Sequence, residues 1–201
     1  MEYSGLHPDL GTLSLLSDAE TRSLSAENVY GAKGAGGMAP SGWGSQKARS
    51  LGVGWKINPC ERIAAGNLYE FADIKGPGAI QQIWITPTGP WRFCILRVYW
   101  DYEETPSIEV PIGDFFASGW QQYAPLNSMA VCVNPGSAFN CYWQMPFRKH
   151  CRMTVENIGD EQMTFFYQVN YTLTEVPDDA AYFHAQFRRT NPVPFKEVYT
   201  L

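Results

Sequence analysis

Charge is scarce in this 201-residue sequence. Asp, Glu, Lys and Arg make up 17% of it, and their balance is −5 with histidine neutral. That balance leaves no electrostatic footprint for nucleic acid or an anionic membrane surface. Long apolar runs are missing too: none approaches the roughly twenty residues of a membrane span. The start, MEYSGLHPDL, has no basic stretch followed by an apolar core. These absences predict a cytoplasmic protein with no nucleic-acid or membrane partner. The five cysteines, Cys60, Cys94, Cys132, Cys141 and Cys151, contain no Cys-x-x-Cys pair. An odd, dispersed set argues against a disulfide framework and a common zinc site. His7, His150 and His184 are equally scattered, so neither a structural metal nor an organic cofactor is expected. The glycines around Lys33 miss the spacing of a phosphate-binding loop, and Asp114-Phe115-Phe116 is not the Asp-Phe-Gly of a kinase.

What the chain does have is apolar and aromatic side chains, 45% hydrophobic and 14% aromatic, enough for one substantial core. From Trp55 onward the periodicity is that of strands. Phe93 to Tyr102 puts Cys94, Leu96, Val98 and Trp100 on one face, with Phe93, Ile95, Arg97 and Tyr99 on the other. Phe139, Cys141, Trp143 and Met145 share a face, as do Cys151, Met153 and Val155. After the turn Asn157 to Asp160, the alternation Met163, Phe165, Tyr167, Val169, Tyr171, Leu173 marks a long strand. Many strands broken by glycine and proline predict an all-β fold, an antiparallel β-sandwich of jelly-roll type.

Three further regions frame this sandwich, which is expected over residues 25–176. Residues 1–24, with Leu10, Leu13, Leu15 and Leu16, read as an N-terminal arm. Residues 177–201 read as a connector: a short helix over AAYFHAQFRR, with acids before it and Arg188 and Arg189 at its end, then the start of a strand at Val198, Tyr199 and Leu201. A glycine-rich loop over residues 31–44 follows Glu27 and Asn28 and contains Lys33, a polar set able to hydrogen-bond sugar hydroxyls. The stretch PIGDFFASGW places Asp114 beside Phe115, so that a carboxylate and a ring can meet a polar ligand with an apolar face. Both patterns also serve as plain turns or caps. Trp143 shares the face of Phe139 and Cys141 and reads as core.

SAENVYGAKGAGG at Ser25 to Gly37, WKINPC at Trp55 to Cys60, ADIKGPGAIQQIWIT at Ala72 to Thr86, RVYWDYEETPSIEVPIGDFF at Arg97 to Phe116 and YFHAQFRRTNP at Tyr182 to Pro192 together resemble the domain of unknown function 2961 proteins. Part of that family is classed as glycoside hydrolase family 172. The resemblance implies the first half of a double jelly roll, homo-oligomers such as trimers or hexamers, and activity on α-linked fructofuranosides or D-arabinofuranosides. It also implies that the catalytic glutamates lie in a second sandwich, in passages resembling GEGE and GTEDY, neither of which occurs here. Glu103 and Glu104 are adjacent and on an extended strand would point apart, so they form no catalytic pair. On this reading no residue of the chain is catalytic, and Glu27, Asn28, Lys33, Asp114 and Phe115 are the candidate substrate-binding residues. The competing expectation is a noncatalytic module that binds carbohydrate or forms oligomers, and the expected partners are a carbohydrate ligand, further copies, or a chain carrying the second sandwich.

Overall fold

In the computed structural model, which describes residues 3–48 and 50–200, the period-two segments become strands. In chain order they are β1 (Glu20–Ser25), β2 (Glu61–Ile63), β3 (Leu68–Lys75), β4 (Gly78–Thr88), β5 (Cys94–Trp100), β6 (Ile108–Pro111), β7 (Leu126–Asn127), β8 (Val131–Val133), β9 (Phe139–Cys141), β10 (Met145–Phe147), β11 (His150–Asn157), β12 (Met163–Leu173) and β13 (Ala185–Gln186). Among the described residues, two single α-helical turns, α1 (Ser45–Ala48) and α2 (Ile112–Phe115), and one 3-10 turn, Trp91–Phe93, accompany them. One sheet runs β1-β12-β4-β9-β8-β7, with β2 also on β12 and β10 also on β4; the other runs β13-β6-β5-β11-β3. All pairings are antiparallel except β13 on β6. The result is the expected β-sandwich.

The inner faces are the ones the alternation marks. Cys94, Leu96, Val98 and Trp100 of β5 and Met153 and Val155 of β11 meet Ile83 and Ile85 of β4 and Phe165 and Val169 of β12, all of them buried. Across the layers, Phe71 of β3 sets its ring edge-on to Phe165 and Tyr167, and the Tyr69 and Tyr167 hydroxyls lie 3.0 Å apart. Cys94, Cys141 and Cys151 fill the same core as small hydrophobes. Burial drives their thiols up, Cys94 and Cys141 to about 12, which keeps them protonated and unreactive.

Both ends of the chain depart from the sequence reading. Residues 20–24, expected in the arm, form β1 and pair with β12 from Glu20↔Leu173 to Ser25↔Gln168. The helix expected over AAYFHAQFRR does not form. That segment is extended, with β13 lying parallel to β6. Charges at the ends of a segment are a weak local cue for a helix. Here the tertiary partners outweigh it: Trp100 Nε1 donates to the Phe183 carbonyl at 2.8 Å, the Ala185 N–H donates to Ser107, and the Phe183 ring stacks on Trp143. No strand forms at Val198 and Tyr199, and Leu201 lies outside the described residues.

Asp101 fastens this C-terminal segment. It follows β5 with φ 51°, and its carboxylate accepts the backbone N–H groups of Arg148, Lys149 and His150 and the Tyr182 hydroxyl. Burial pushes its pKa up, but the Tyr182 hydroxyl and the three amides outweigh that and hold it below the ordinary value. A carboxyl with a lowered folded-state pKa stabilises the fold above its unfolded pKa, near 3.8, and that contribution is lost as pH falls through the folded-state value. Asparagine tolerates positive φ, so Asp101→Asn removes the charge without adding backbone strain. It is expected to cost about 2 kcal/mol near pH 7, moderated by the partial exposure of the site. Urea melts of both proteins should show the gap at pH 7 and its narrowing below about pH 4.

Candidate functional site

Strand register places both candidate regions at one end of the sandwich. Pro87 and Glu61 flank Phe165 near the start of β12, while Pro111 at the end of β6 faces Ile95 near the start of β5. The regions lie at opposite lateral edges of that end. The glycine-rich loop hangs from β1 and β2 beside β12, and the Asp114 turn leaves β6 near the far edge of the other sheet.

At the β6 edge, α2 is one turn long and is closed by Gly113, whose carbonyl accepts from the Phe116 and Ser118 N–H groups. The turn aims Asp114 at Arg92, in the 3-10 turn Trp91–Phe93, and the two side chains form a salt bridge with each about three-quarters covered. Arg92 also lies 5.1 Å from the Phe187 ring. A cavity of about 440 Å³ opens beside the pair, lined by Arg92, Asp114, Gly119, Trp120, Gln121 and Arg189. Trp120 is 91% exposed. Carboxylate acceptors, guanidinium donors and an open indole are the elements a polyol ligand needs.

Phe115 does not join them as expected. It is 5% exposed, and its ring is enclosed edge-on by Phe116, Trp143 and Phe183. An enclosed ring offers no face to a sugar, so Phe115 supports the turn from beneath. Trp143 packs against Phe115 and Phe183 rather than standing free.

At the β1 edge, Glu27 Oε1 accepts the Asn58 N–H at 2.7 Å, and the Asn58 side chain donates to the Ala26 carbonyl and to Glu61 Oε1. Glu27 Oε2 is buried and has no hydrogen-bond partner, an acceptor left open. Asn28 closes the loop on itself: its Nδ2 donates to the Ala32 carbonyl and its Oδ1 accepts the Ala32 N–H. A cavity of about 320 Å³ lies here, with Glu27, Asn28, Tyr30, Met38, Ser41 and Asn58 in its wall. Lys33, next to Ala32 in the chain, is exposed and does not line this cavity. Trp43 stands nearby, covered by the Arg62 guanidinium 3.9 Å from its ring centre.

Glu27 and Asn28 are thus brought together in one cavity wall, while neither Lys33 nor Asp114 lines that cavity. Arg92 and Arg189 are the residues the sequence reading missed. Arg92 carried no signal of its own, and Arg189 was absorbed into the expected helix. Asn58 stood inside the quoted WKINPC, but its pairing with Glu27 spans 31 positions. Among the described residues, no group of three or more His, Cys, Asp or Glu could hold a metal ion, and no helix is long and apolar enough to cross a membrane.

A comparison with curated proteins gives no match. The family model for the GH172 first beta-sandwich domain matches residues 53–191, more than half of the chain and all but the first of its strands. The chain therefore belongs to the GH172 family, glycoside hydrolase family 172, and carries its first β-sandwich domain.

Proposed function

We propose that this chain is the substrate-holding first sandwich of a glycoside hydrolase acting on α-linked furanosides, fructofuranosides or D-arabinofuranosides, with the catalytic glutamates supplied from outside these 201 residues. The observation that carries the proposal is the family match over residues 53–191. The chemistry of the two pockets agrees with a holding role. Glycoside cleavage by a retaining route needs two carboxyl groups about 5 Å apart, one on each side of the bond. Here Asp114 is engaged by Arg92 and Glu27 by the Asn58 amide, at opposite edges of the sandwich. Carboxylates fixed in this way are suited to accepting hydrogen bonds from sugar hydroxyls.

In this role Asp114, with Arg92, grips one part of the ligand, and Glu27, Asn28 and Lys33 meet another part or a neighbouring copy. The exposed leucines of the arm, Leu10 at 90%, Leu13 at 77% and Leu16 at 93%, favour assembly with further copies or with a second sandwich. Release of reducing sugar from α-D-arabinofuranosides and difructose dianhydride by the purified chain tests the division of labour. No turnover is expected, together with measurable sugar binding that Asp114→Ala weakens about tenfold. Turnover by the chain alone would place a catalytic pair within it and overturn the proposal, and so would sugar binding indifferent to both Asp114→Ala and Glu27→Gln.

A further inference from the structure

The eight-stranded sheet turns one face to the core and the other outward, and the outward face is unusual in its chemistry. β4, β7, β8, β9, β10 and β12 contain no Asp, Glu, Lys or Arg, in a chain with 15 basic and 20 acidic residues. With Ile83 and Ile85 in the core, Gln82, Trp84 and Thr86 face out. Register sets Trp84 directly between Gln168 on β12 and Asn140 on β9, and sets Gln82 against Asn170.

Four amides in this patch form one directed chain. Gln168 donates to Asn170 at 3.0 Å, Asn170 to Gln82 at 2.8 Å, Gln82 to Asn140 at 3.2 Å, and Asn140 to the Ala138 carbonyl at 3.2 Å. Each amide group uses one of its two N–H donors in this chain, and the Gln168 oxygen accepts nothing from it. The amides therefore hold one another in place; Asn140 is buried, while Gln82, Asn170 and Gln168 keep spare donors and an acceptor beside a partly exposed indole. Beside them a groove of about 580 Å³ runs between Ser23 and Asn170 of the sheet and Leu13 and Leu15 of the arm.

We propose that this outward face is a second carbohydrate-binding site, taking a neutral oligosaccharide across Trp84 with the amide chain meeting its hydroxyls. The six charge-free strands match an uncharged ligand, and Arg22, which lines the neighbouring groove, is already paired with Glu20. Fixed amides match hydroxyls, which both donate and accept, and the indole supplies an apolar platform. A second copy of the chain is the poorer fit, because the buried centre of a protein interface is mainly apolar, whereas here amides flank Trp84 on both sides. The site is independent of the two end pockets and does not require the proposed hydrolase role.

Titration of the 201-residue chain with an arabinofuranosyl hexasaccharide and with maltohexaose, followed through the Trp84 indole N–H resonance and by calorimetry, tests it. The expected result is a shift of that resonance with at least one of the two probes, and binding weakened at least about tenfold in Trp84→Ala and in Gln168→Ala. Gln168 is an exposed amide, so Gln168→Ala preserves the test if Trp84→Ala does not fold. No shift with either probe, or undiminished binding by a folded Gln168→Ala, would overturn the proposal. Sedimentation showing a dimer that Trp84→Arg converts to monomer would also overturn it, by making a second copy the occupant.

Discussion

Gly113→Ala is expected to destabilise the protein by roughly 3 kcal/mol or more and to dismantle the Arg92–Asp114 pocket. The cause is space. A Cβ at Gly113 would stand 2.4 Å from the Ser118 carbonyl oxygen and 2.8 Å from Trp91 Cδ1, far inside van der Waals contact. Neither neighbour can yield cheaply. Ser118 is tied by its own N–H to the Gly113 carbonyl at 2.6 Å, and Trp91 is set edge-on against Phe139, itself fully buried. Relief requires residues 116–118 to move, and with them Asp114. Gly36→Ala is the control, since a Cβ there meets nothing within 4 Å and is expected to change stability by no more than about 0.5 kcal/mol. Urea midpoints of the two variants, with sugar binding measured on each, separate the loss of this turn from any general intolerance of alanine.

The period-two pattern made the core of this fold legible because each strand carries its own face assignment along a few consecutive residues. Cys94, Leu96, Val98 and Trp100 needed no partner strand to be recognised as one buried face. The failures lie where the deciding contact is distant. Tyr182 to Arg189 has the end charges of a helix, yet its conformation is set by Asp101, Trp100 and the edge of β6, about eighty positions earlier in the sequence. The candidate sites divide in the same way. Asp114 stood out in its own decapeptide, whereas its partner Arg92 lies 22 positions away in a turn with no motif. Phe115 was misjudged because adjacency to a carboxylate says nothing about which way a ring faces once α2 turns it into the core. The amide chain on the outer sheet was invisible for a related reason: its links run across strands and join residues up to 88 positions apart.

Asn157→Leu is the second substitution expected to have a large effect, about 3–5 kcal/mol of lost stability, and it reaches both candidate pockets. Asn157 is wholly buried. Its Nδ2 donates to the Ile63 carbonyl at 3.0 Å and the Glu161 carbonyl at 2.8 Å, and its Oδ1 accepts the Gly159 N–H at 3.0 Å. Leucine fills a similar volume and leaves all three groups without their partner. Through Ile63 the amide holds β2, which also carries Glu61, the acceptor for Asn58 and so a support for the Glu27 pocket. Through the 157–161 turn it holds Ile158, whose N–H donates to the Phe93 carbonyl at the end of the turn bearing Arg92. Loss of one buried amide should therefore loosen the glycine-rich loop and the Asp114 pocket together, although they share no lining residue. Asn157→Asp separates hydrogen bonding from packing. A carboxylate would face two carbonyl oxygens, so its folded-state pKa would be raised, and protonation would return one donor. That variant should be least stable near neutral pH and recover part of the loss as pH falls toward about 4, opposite in sign to the pH response of Asp101. Melts from pH 7 to pH 4 on both Asn157 variants decide this. A loss in Asn157→Asp that does not depend on pH would mean that the damage comes from packing and not from the unmet carbonyls.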